Sequence, residues 1–342
     1  MLGKSVFEFK ILHAGSGDSI FITYVDNKNK KRNILIDGGS GQIYKKVLRN
    51  IFEDLDQLDL LIVTHIDLDH IGGINKLLES NHKCKIKNIF FNSASLLRQN
   101  NSNLISIDDG IKLTEYIEQN NIKIYNDLIT MDKTFEIDGL SIKFLSPTME
   151  ALEYLERDWK KKEEKNNLIS STMIMDERRL SEIGKDDFKE KKLVNDVANW
   201  SSLAFEMRYK DKVLLLLGDA KDSVIVFYLR GKKYTVSNKY KVDFVKLSHH
   251  GSKYNTSNEF LSLIETNHFI FSTNGTYNHP NIETIARILS HPHRKISDKI
   301  YLYFNYPKEE YVSKGIRLLT NDEETEYNCK SIYDEAILTL KE

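Results

Sequence analysis

Four side chains that could bind a metal ion lie within six consecutive positions of the chain. They are His65, Asp67, Asp69 and His70, in the sequence THIDLDHIGG at 64–73. A carboxylate that is buried without a partner loses its hydration at a large cost in free energy, and a divalent cation removes that cost. An acidic turn that caps a helix through Asp69 is the alternative, but capping requires one Asp and explains neither histidine. The spacing therefore predicts a metal site.

The residues on either side of this stretch predict a strand, a tight loop and a helix. The apolar run at 60–63 is long enough for a buried strand. After the loop, Ile74, Leu77 and Leu78 recur at helical spacing with polar residues between them. The candidate ligands are therefore expected in a loop at the carboxyl end of a strand.

The stretch resembles the signature loop of metallo-β-lactamase fold hydrolases, whose usual form is H-x-H-x-D-H. Here Asp67 stands at the middle histidine, and the resulting H-x-D-x-D-H resembles the hydrolase domain of ComEC-type competence proteins and the related phosphorylcholine esterases. The resemblance covers most of residues 6–290. It implies an α/β fold, the four-layer αβ/βα sandwich of two mixed β-sheets flanked by helices, with a metal site at one edge of the sheets.

Two motifs before the loop fit the same resemblance. The turn HAGSGDS at 13–19 resembles the V-G-Q-G-D turn of ComEC-type domains, which makes Asp18 a candidate for bracing the site or contacting substrate. His13 stands where that family often has Asp, and either a substrate contact or a structural role is open to it. Asp37 ends a strand before two glycines; it is either part of a plain turn or, by resemblance, the carboxylate that orients a ligating histidine.

Three later motifs complete the set. Asp219 follows an apolar strand and resembles the carboxylate that bridges two metals, with a helix-capping role as the alternative. The sequence SHHGS at 248–252 resembles the H-H-G-S of ComEC-type domains; His250 is assigned as the ligand and His249 as a substrate contact or general acid, and the reverse assignment stays open. His279, in an Asn-His-Pro loop, is a candidate for contacting a phosphate.

The resemblance implies two sets of ligands and one departure. Most dinuclear members supply a further histidine where this chain reads Asn199-Trp200-Ser201-Ser202, so Asn199 is expected to donate a hydrogen bond to substrate instead. A site rich in carboxylates suits Mn²⁺ better than an all-histidine site does, and Zn²⁺ stays an alternative. We expect one or two divalent ions. The first is assigned to Asp69, His70, Asp219 and His250, and the second to His65, Asp67 and the shared Asp219.

Composition sets the broad class. The 342 residues are 40% hydrophobic, and 49 basic against 50 acidic residues give a net charge of −1, so no global basic signal for nucleic acid is present. Two cysteines do not form a disulfide framework, and neither a secretory signal nor a membrane-spanning run is apparent. These features predict a cytoplasmic protein without a membrane association.

The domain organisation is predicted from the alternation of strand and helix patterns. We expect one hydrolase domain at 1–296, interrupted by a charged helical insertion at 149–194 that is either a solvated helix or a lid. Residues 297–342 are expected to be an extension of unknown role that packs on the same domain. Short strands are predicted there at 299–304 and 315–319.

The expected activity is hydrolysis by a metal-activated water, because a divalent cation lowers the pKa of a water bound to it. A metal-dependent phosphodiesterase or nuclease is favoured, with a phosphodiester such as DNA or RNA as substrate and Asp69, His249 and His279 as catalytic residues. The alternative is an acyl hydrolase of a lactam, lactone or thioester. A non-catalytic interaction protein is less favoured, since it would predict decayed ligands. Protein partners are unknown from the sequence.

Overall fold

The computed structural model gives the positions of most of the chain. Of the predicted insertion at 149–194, residues 159–175 and 189–194 lie outside the described part. The structure describes residues 7–80, 83–92, 108–120, 122–124, 128–158, 176–188, 197–334 and 338–340.

Nineteen strands occur in the described residues. They are β1 Phe7–Ile11, β2 Ile20–Val25, β3 Lys31–Ile36, β4 Gln57–Leu58, β5 Leu60–Ile62, β6 Lys85–Ile86, β7 Asn88–Phe90, β8 Lys123–Ile124, β9 Thr134–Ile137, β10 Leu140–Ser146, β11 Ala204–Tyr209, β12 Lys212–Leu216, β13 Tyr240–Lys241, β14 Phe244–Lys246, β15 Ile264–Glu265, β16 His268–Phe271, β17 Ile300–Phe304, β18 Cys329–Tyr333 and β19 Leu338–Leu340.

Eleven α-helices accompany them in the same parts of the chain. A π-helical turn, Tyr44–Leu48, precedes the first, and 3₁₀ turns occur at Ser248–Gly251 and Thr276–Asn278. The helices are α1 Arg49–Glu53, α2 Leu68–Leu78, α3 Asp108–Gln119, α4 Met149–Asp158, α5 Leu180–Ile183, α6 Val197–Trp200, α7 Asp222–Gly231, α8 Asn258–Leu263, α9 Ile282–Ser290, α10 Lys308–Ser313 and α11 Asn321–Glu326.

Most strands belong to two mixed sheets that pack face to face. The first has the order β19-β1-β2-β3-β5-β7-β8, and the second β18-β17-β16-β14-β12-β11-β10-β9. Side chains alternate between the faces of a strand. In β12, Leu214 and Leu216 therefore pack between the sheets, whereas Val213 and Leu215 pack against helices on the outer face. Helices cover the outer face of the first sheet in the same way. The predicted four-layer αβ/βα sandwich is confirmed.

The described residues from 300 onward contribute strands to both sheets. Strands β17 and β18 extend the second sheet in parallel, and β19 pairs antiparallel with β1 in the first. The strand predicted at 315–319 is wrong. Ile316 and Leu319 are buried three residues apart, outside any strand, and Gly315 turns the chain with a φ of 71°.

Parallel strands bring the motif loops to one edge. β3 pairs in parallel with β5, and β12 in parallel with β14, which in turn pairs with β16. The loops that follow their carboxyl ends therefore meet, and a hydrogen bond from Leu203 N to Thr64 O joins the two sheets there. In the described residues, no helix has the length and apolar character needed to cross a membrane.

Candidate metal site

The loop at 64–67 runs directly into α2, so Asp69 and His70, which were expected in the loop, lie in the first turn of the helix. Asp67 occupies the N-cap position with extended backbone (φ −66°, ψ 141°), and its side chain makes no capping hydrogen bond. Asp69 lies in the first turn of the helix rather than at the cap, so the capping alternative for Asp69 is wrong. His65 and His70 are buried, whereas the Asp67 side chain is 42% exposed and the Asp69 side chain 28% exposed.

Glycine permits the close approach of this helix to the loop after β3. A Cβ on Gly73 would lie 1.9 Å from the carbonyl oxygen of Gly38. Gly73 N donates to Gly39 O at 2.8 Å, and Gly38 N donates to His70 O at 2.8 Å. The Gly-Gly pair that ends the motif thus allows α2 to dock by its backbone onto the turn that carries Asp37.

Asp37 orients His70. Its Oδ1 accepts from Thr64 N at 2.8 Å, and its Oδ2 accepts from Thr64 Oγ1 at 2.7 Å and lies 2.8 Å from His70 Nδ1. An ionised carboxylate only accepts hydrogen bonds, so Nδ1 of His70 carries the proton and Nε2 presents its lone pair. This is the bracing geometry that the resemblance implies for Asp37.

The tautomer of His65 follows from the same network. The single hydroxyl proton of Thr64 is donated to Asp37, so Thr64 Oγ1 can only accept from His65 Nδ1, which lies 3.0 Å away. Ser202 Oγ lies 3.4 Å from the same nitrogen. His65 Nε2 then faces the site, 3.6 Å from Asp67 Oδ2 and 4.0 Å from Asp219 Oδ2.

The two adjacent histidines differ in burial and direction. Both adopt left-handed backbone conformations, with φ of 48° at His249 and 57° at His250, which bulky residues rarely adopt. His250 is buried; its Nδ1 donates to Ser272 O at 3.0 Å, and its Nε2 lies 3.4 Å from Asp219 Oδ2 and 3.7 Å from Asp69 Oδ2. His249 is 29% exposed, and its Nε2 lies 3.9 Å from Asp219 Oδ2. The geometry favours His250 as the ligand.

Asp219 is the point on which the imidazoles converge. Its Oδ2 lies 3.4 Å from Nε2 of both His70 and His250, and its backbone N donates to Ser202 Oγ at 3.1 Å. Within the described residues, Nε2 of His65, His70 and His250 and Oδ1 of Asp219 are buried without a hydrogen-bond partner. Buried polar atoms are normally satisfied, and lone pairs of this kind are ligands for a divalent cation. These residues therefore fit a metal ion.

Charge in the cluster is arranged to hold a cation. Burial would raise the pKa of the Asp219 carboxyl, but His250 and His70 hold it well below its usual range. Conversely, burial would lower the pKa of both histidines, yet Asp219 raises the pKa of His250 to about 9 and, together with Asp37, raises that of His70 well above its usual value. The carboxylates stabilise positive charge among the imidazoles, whether as protons or as a divalent ion.

Two buried residues beside the cluster form an ion pair. Asp18 offers a ligand atom that lies within 4.8 Å of ligand atoms of His70, Asp219 and His250. Its Oδ2 bonds to Nζ of Lys246, a lysine that is 1% exposed. Sequence reasoning missed Lys246, although a lysine inside the apolar run FVKL is a signal, because lysine is almost never fully buried unless it is paired.

The remaining candidates lie at different distances from the cluster. His279 is beside it, with ring centroids 5.5 Å from His249 and 6.3 Å from His250. Burial, followed by the charges of those two histidines, lowers the pKa of His279 to about 3. His13 instead pairs with Asp334 at 2.7 Å, and in the described structure no hydrogen bond, ion pair or ring contact joins it to the cluster. Its geometry is that of a structural histidine.

Asn199 lies in the wall next to His65. It lies on the short helix α6, and its carbonyl accepts from the N–H of Ser202, whose hydroxyl lies 3.4 Å from Nδ1 of His65. Asn199 is 4% exposed, and its Oδ1 is buried with no hydrogen-bond partner in the part of the chain described. An unsatisfied amide in this position is suited to contact a bound ligand.

A comparison with protein families agrees with this geometry. Residues 14–89 match the model of the metallo-beta-lactamase superfamily, and this segment includes Asp18, Asp37 and the motif at 64–70. The chain has the metallo-β-lactamase fold. The ComEC-type branch stays a prediction, since the match does not distinguish branches of the superfamily. No curated protein matches the sequence.

Several solved structures align over nearly the whole chain at low identity. The metallo-beta-lactamase fold protein YhfI from Bacillus subtilis is 10% identical, with 98% of this chain and 100% of that chain covered and a TM-score of 0.42. Zn²⁺-bound PqqB from Methylobacterium extorquens is 11% identical, with 97% and 100% covered and a TM-score of 0.46. CmlA, a diiron beta-hydroxylase from Streptomyces venezuelae, is 11% identical, with 100% of this chain but 55% of CmlA covered and a TM-score of 0.47. Structural similarity at this level of sequence identity does not indicate the substrate of this protein.

Proposed function

We propose that the protein is a metal-dependent hydrolase of phosphodiesters. The observation that carries the proposal is the convergence of three buried Nε2 atoms, those of His65, His70 and His250, on the carboxylate of Asp219. Each of the three has its Nδ1 occupied by a second group, so each lone pair is held toward the same point. Such pre-orientation is characteristic of metal ligands.

The proposed ligands divide between the floor and the rim of the site. The buried floor consists of His65, His70, Asp219 and His250, and the partly exposed carboxylates of Asp67 and Asp69 lie above them. Together they would hold one or two Zn²⁺ or Mn²⁺ ions. When bound, such an ion lowers the pKa of a coordinated water and supplies a nucleophile near neutral pH.

Two further imidazoles suit a tetrahedral anionic substrate. Because its pKa is lowered to about 3, His279 is neutral at physiological pH and presents one N–H and one lone pair. It would donate a hydrogen bond to a non-bridging phosphoryl oxygen rather than transfer a proton. His249 is partly exposed and closer to Asp219, which suits a contact with the leaving group or its protonation.

Hydrolysis assays on metal-stripped protein test the proposal. Zn²⁺ or Mn²⁺ is added back, and turnover is measured on an aryl phosphodiester, on single- and double-stranded DNA, and on lactone and thioester substrates. We expect metal-dependent turnover of a phosphodiester that is lost in Asp69→Ala, a variant that also controls for contaminating nuclease. Turnover of acyl substrates alone by the metal-loaded protein would overturn the proposal in favour of an acyl hydrolase.

A further inference from the structure

Lys246 lies at the centre of the segments that form the metal site. It is the last residue of β14, and its side chain is 1% exposed. Its Nζ bonds to Asp18 Oδ2 and donates to Gly218 O at 3.3 Å. A buried ammonium group loses its hydration at a large cost in free energy, which an opposite charge offsets.

Each contact of Lys246 leads to a different part of the site. Gly218 immediately precedes Asp219, so the lysine holds the turn that presents this carboxylate. Asp18 belongs to the turn between β1 and β2. Four residues after Lys246, the same segment of chain supplies His250. One side chain thus connects three loops that are distant in sequence and that meet only at the site.

Asp18 lies beside the far nitrogen of His250, as Asp37 lies beside that of His70, but it acts there as a charge rather than as a hydrogen-bond acceptor, because His250 Nδ1 donates to Ser272 O. Asp18 Oδ1 lies 3.4 Å from His250 Nδ1, and Asp37 Oδ2 lies 2.8 Å from His70 Nδ1. The negative charge of Asp18 polarises the imidazole of His250 and makes it a stronger ligand, while Ser272 O accepts the proton of Nδ1. Asp37 is held by two hydrogen bonds from Thr64, whereas Asp18 is held by the charge of Lys246.

We propose that Asp18 and Lys246 form a buried positioning pair that orients His250 and Asp219 toward the metal ion. The inference rests on the proposed metal site, and it is independent of which ester is hydrolysed. Asp18 acts through His250, and Lys246 acts through Asp18 and through the carbonyl of Gly218. The lysine also offsets the second negative charge that Asp18 adds beside Asp219, which is why a neutral donor would not serve equally well.

Metal affinity, measured directly, tests this pair. Zn²⁺ dissociation constants are obtained by competition with a chromogenic chelator, and Co²⁺ absorption spectra report the ligand geometry. The variants are Asp18→Asn, Lys246→Met and the double variant. The matched control is Arg32→Met, which breaks another buried ion pair, with Asp26 and Asp59. Arg32 lies at the opposite end of β3 from Asp37, about 16 Å away at ~3.3 Å per residue.

We expect each single variant to weaken Zn²⁺ binding by about 10- to 100-fold and to alter the Co²⁺ spectrum. The double variant leaves no uncompensated buried charge, so its loss of affinity should not exceed that of the single variant that binds Zn²⁺ more weakly. If Lys246→Met does not fold, the double variant replaces it in the comparison. Arg32→Met should unfold more readily yet bind Zn²⁺ normally.

Three results would overturn the inference. The first is wild-type affinity and spectra in Asp18→Asn and in the double variant. The second is an equal loss of affinity in Arg32→Met, which would show only a general effect of stability. The third is a Co²⁺ spectrum of Asp18→Asn that shows one ligand fewer, together with normal metal binding by Lys246→Met. That result would show that Asp18 is itself a ligand. Metal binding is measured without substrate, so failure here is separate from failure of the proposed hydrolysis.

Discussion

Gly73→Ala should destabilise the protein, although alanine is the better helix former. At a solvent-exposed position in a helix, replacing glycine by alanine increases stability by about 1 kcal/mol. Here the added Cβ would lie 1.9 Å from the carbonyl oxygen of Gly38, where a normal contact needs about 3.3 Å. Both partners are backbone, so α2 or the turn at 37–39 must move by roughly 1.4 Å. Overpacking of that size costs ~3 kcal/mol, and the hydrogen bond from Gly73 N to Gly39 O, worth ~1 kcal/mol, is strained as well.

The net expectation is therefore a loss of about 3 kcal/mol in the free energy of unfolding, measured by urea denaturation of metal-stripped protein. Gly231→Ala is the matched control: Gly231 ends α7, and its added Cβ would meet nothing within 4 Å. That variant should be slightly more stable than the wild type. If Gly73→Ala were as stable as Gly231→Ala, the docking of α2 on the turn that carries Asp37 would not be as tight as the structure shows, and the reasoning would be refuted.

Three further outcomes are expected. Asp37→Ala should weaken Zn²⁺ binding by about 10- to 100-fold in chelator competition, because His70 Nδ1 loses its acceptor; unchanged affinity would contradict the bracing role. Asp219 and Asp18 raise the pKa of His250 to about 9, so in the metal-free protein this histidine is protonated at neutral pH, and metal binding must release its proton. Log affinity should therefore rise by about 1 per pH unit between about pH 6 and 8, and calorimetry in buffers of different ionisation enthalpy should detect the released proton; a flat profile would sink this prediction. His279→Ala should lower kcat on an aryl phosphodiester by roughly 10²-fold with metal content unchanged, whereas His268→Ala, which removes a histidine bonded to Tyr303, should not.

The sequence predicted the parts of the site that are local. His65, Asp67, Asp69 and His70 lie within six residues that join β5 to α2, and the apolar run before them and the helical spacing after them are enough to place this stretch at a strand end. The fold followed from the resemblance of these motifs, and it is confirmed. Residue spacing is enough to predict this part of the site because the strand, the loop and the helix follow one another in the chain.

The sequence could not predict pairings between distant segments. Lys246 bonds to Asp18, which is 228 residues earlier, and His13 pairs with Asp334, 321 residues later. Such contacts are created by the packing of the two sheets, and nothing in the spacing of either partner indicates the other. The same holds for β19, which pairs with β1 from the far end of the chain.

The central claim is that the buried cluster around Asp219 is a metal site, and metal stoichiometry tests it most directly. Purified wild-type protein and Asp219→Ala would be stripped, exposed to Zn²⁺ or Mn²⁺, freed of excess ion and analysed for bound metal per chain. We predict one or two ions per chain in the wild type and loss of tight binding in Asp219→Ala, because every buried Nε2 of the cluster faces that carboxylate. A folded wild-type protein that retains no metal, or an Asp219→Ala variant that retains the same amount, would contradict the claim.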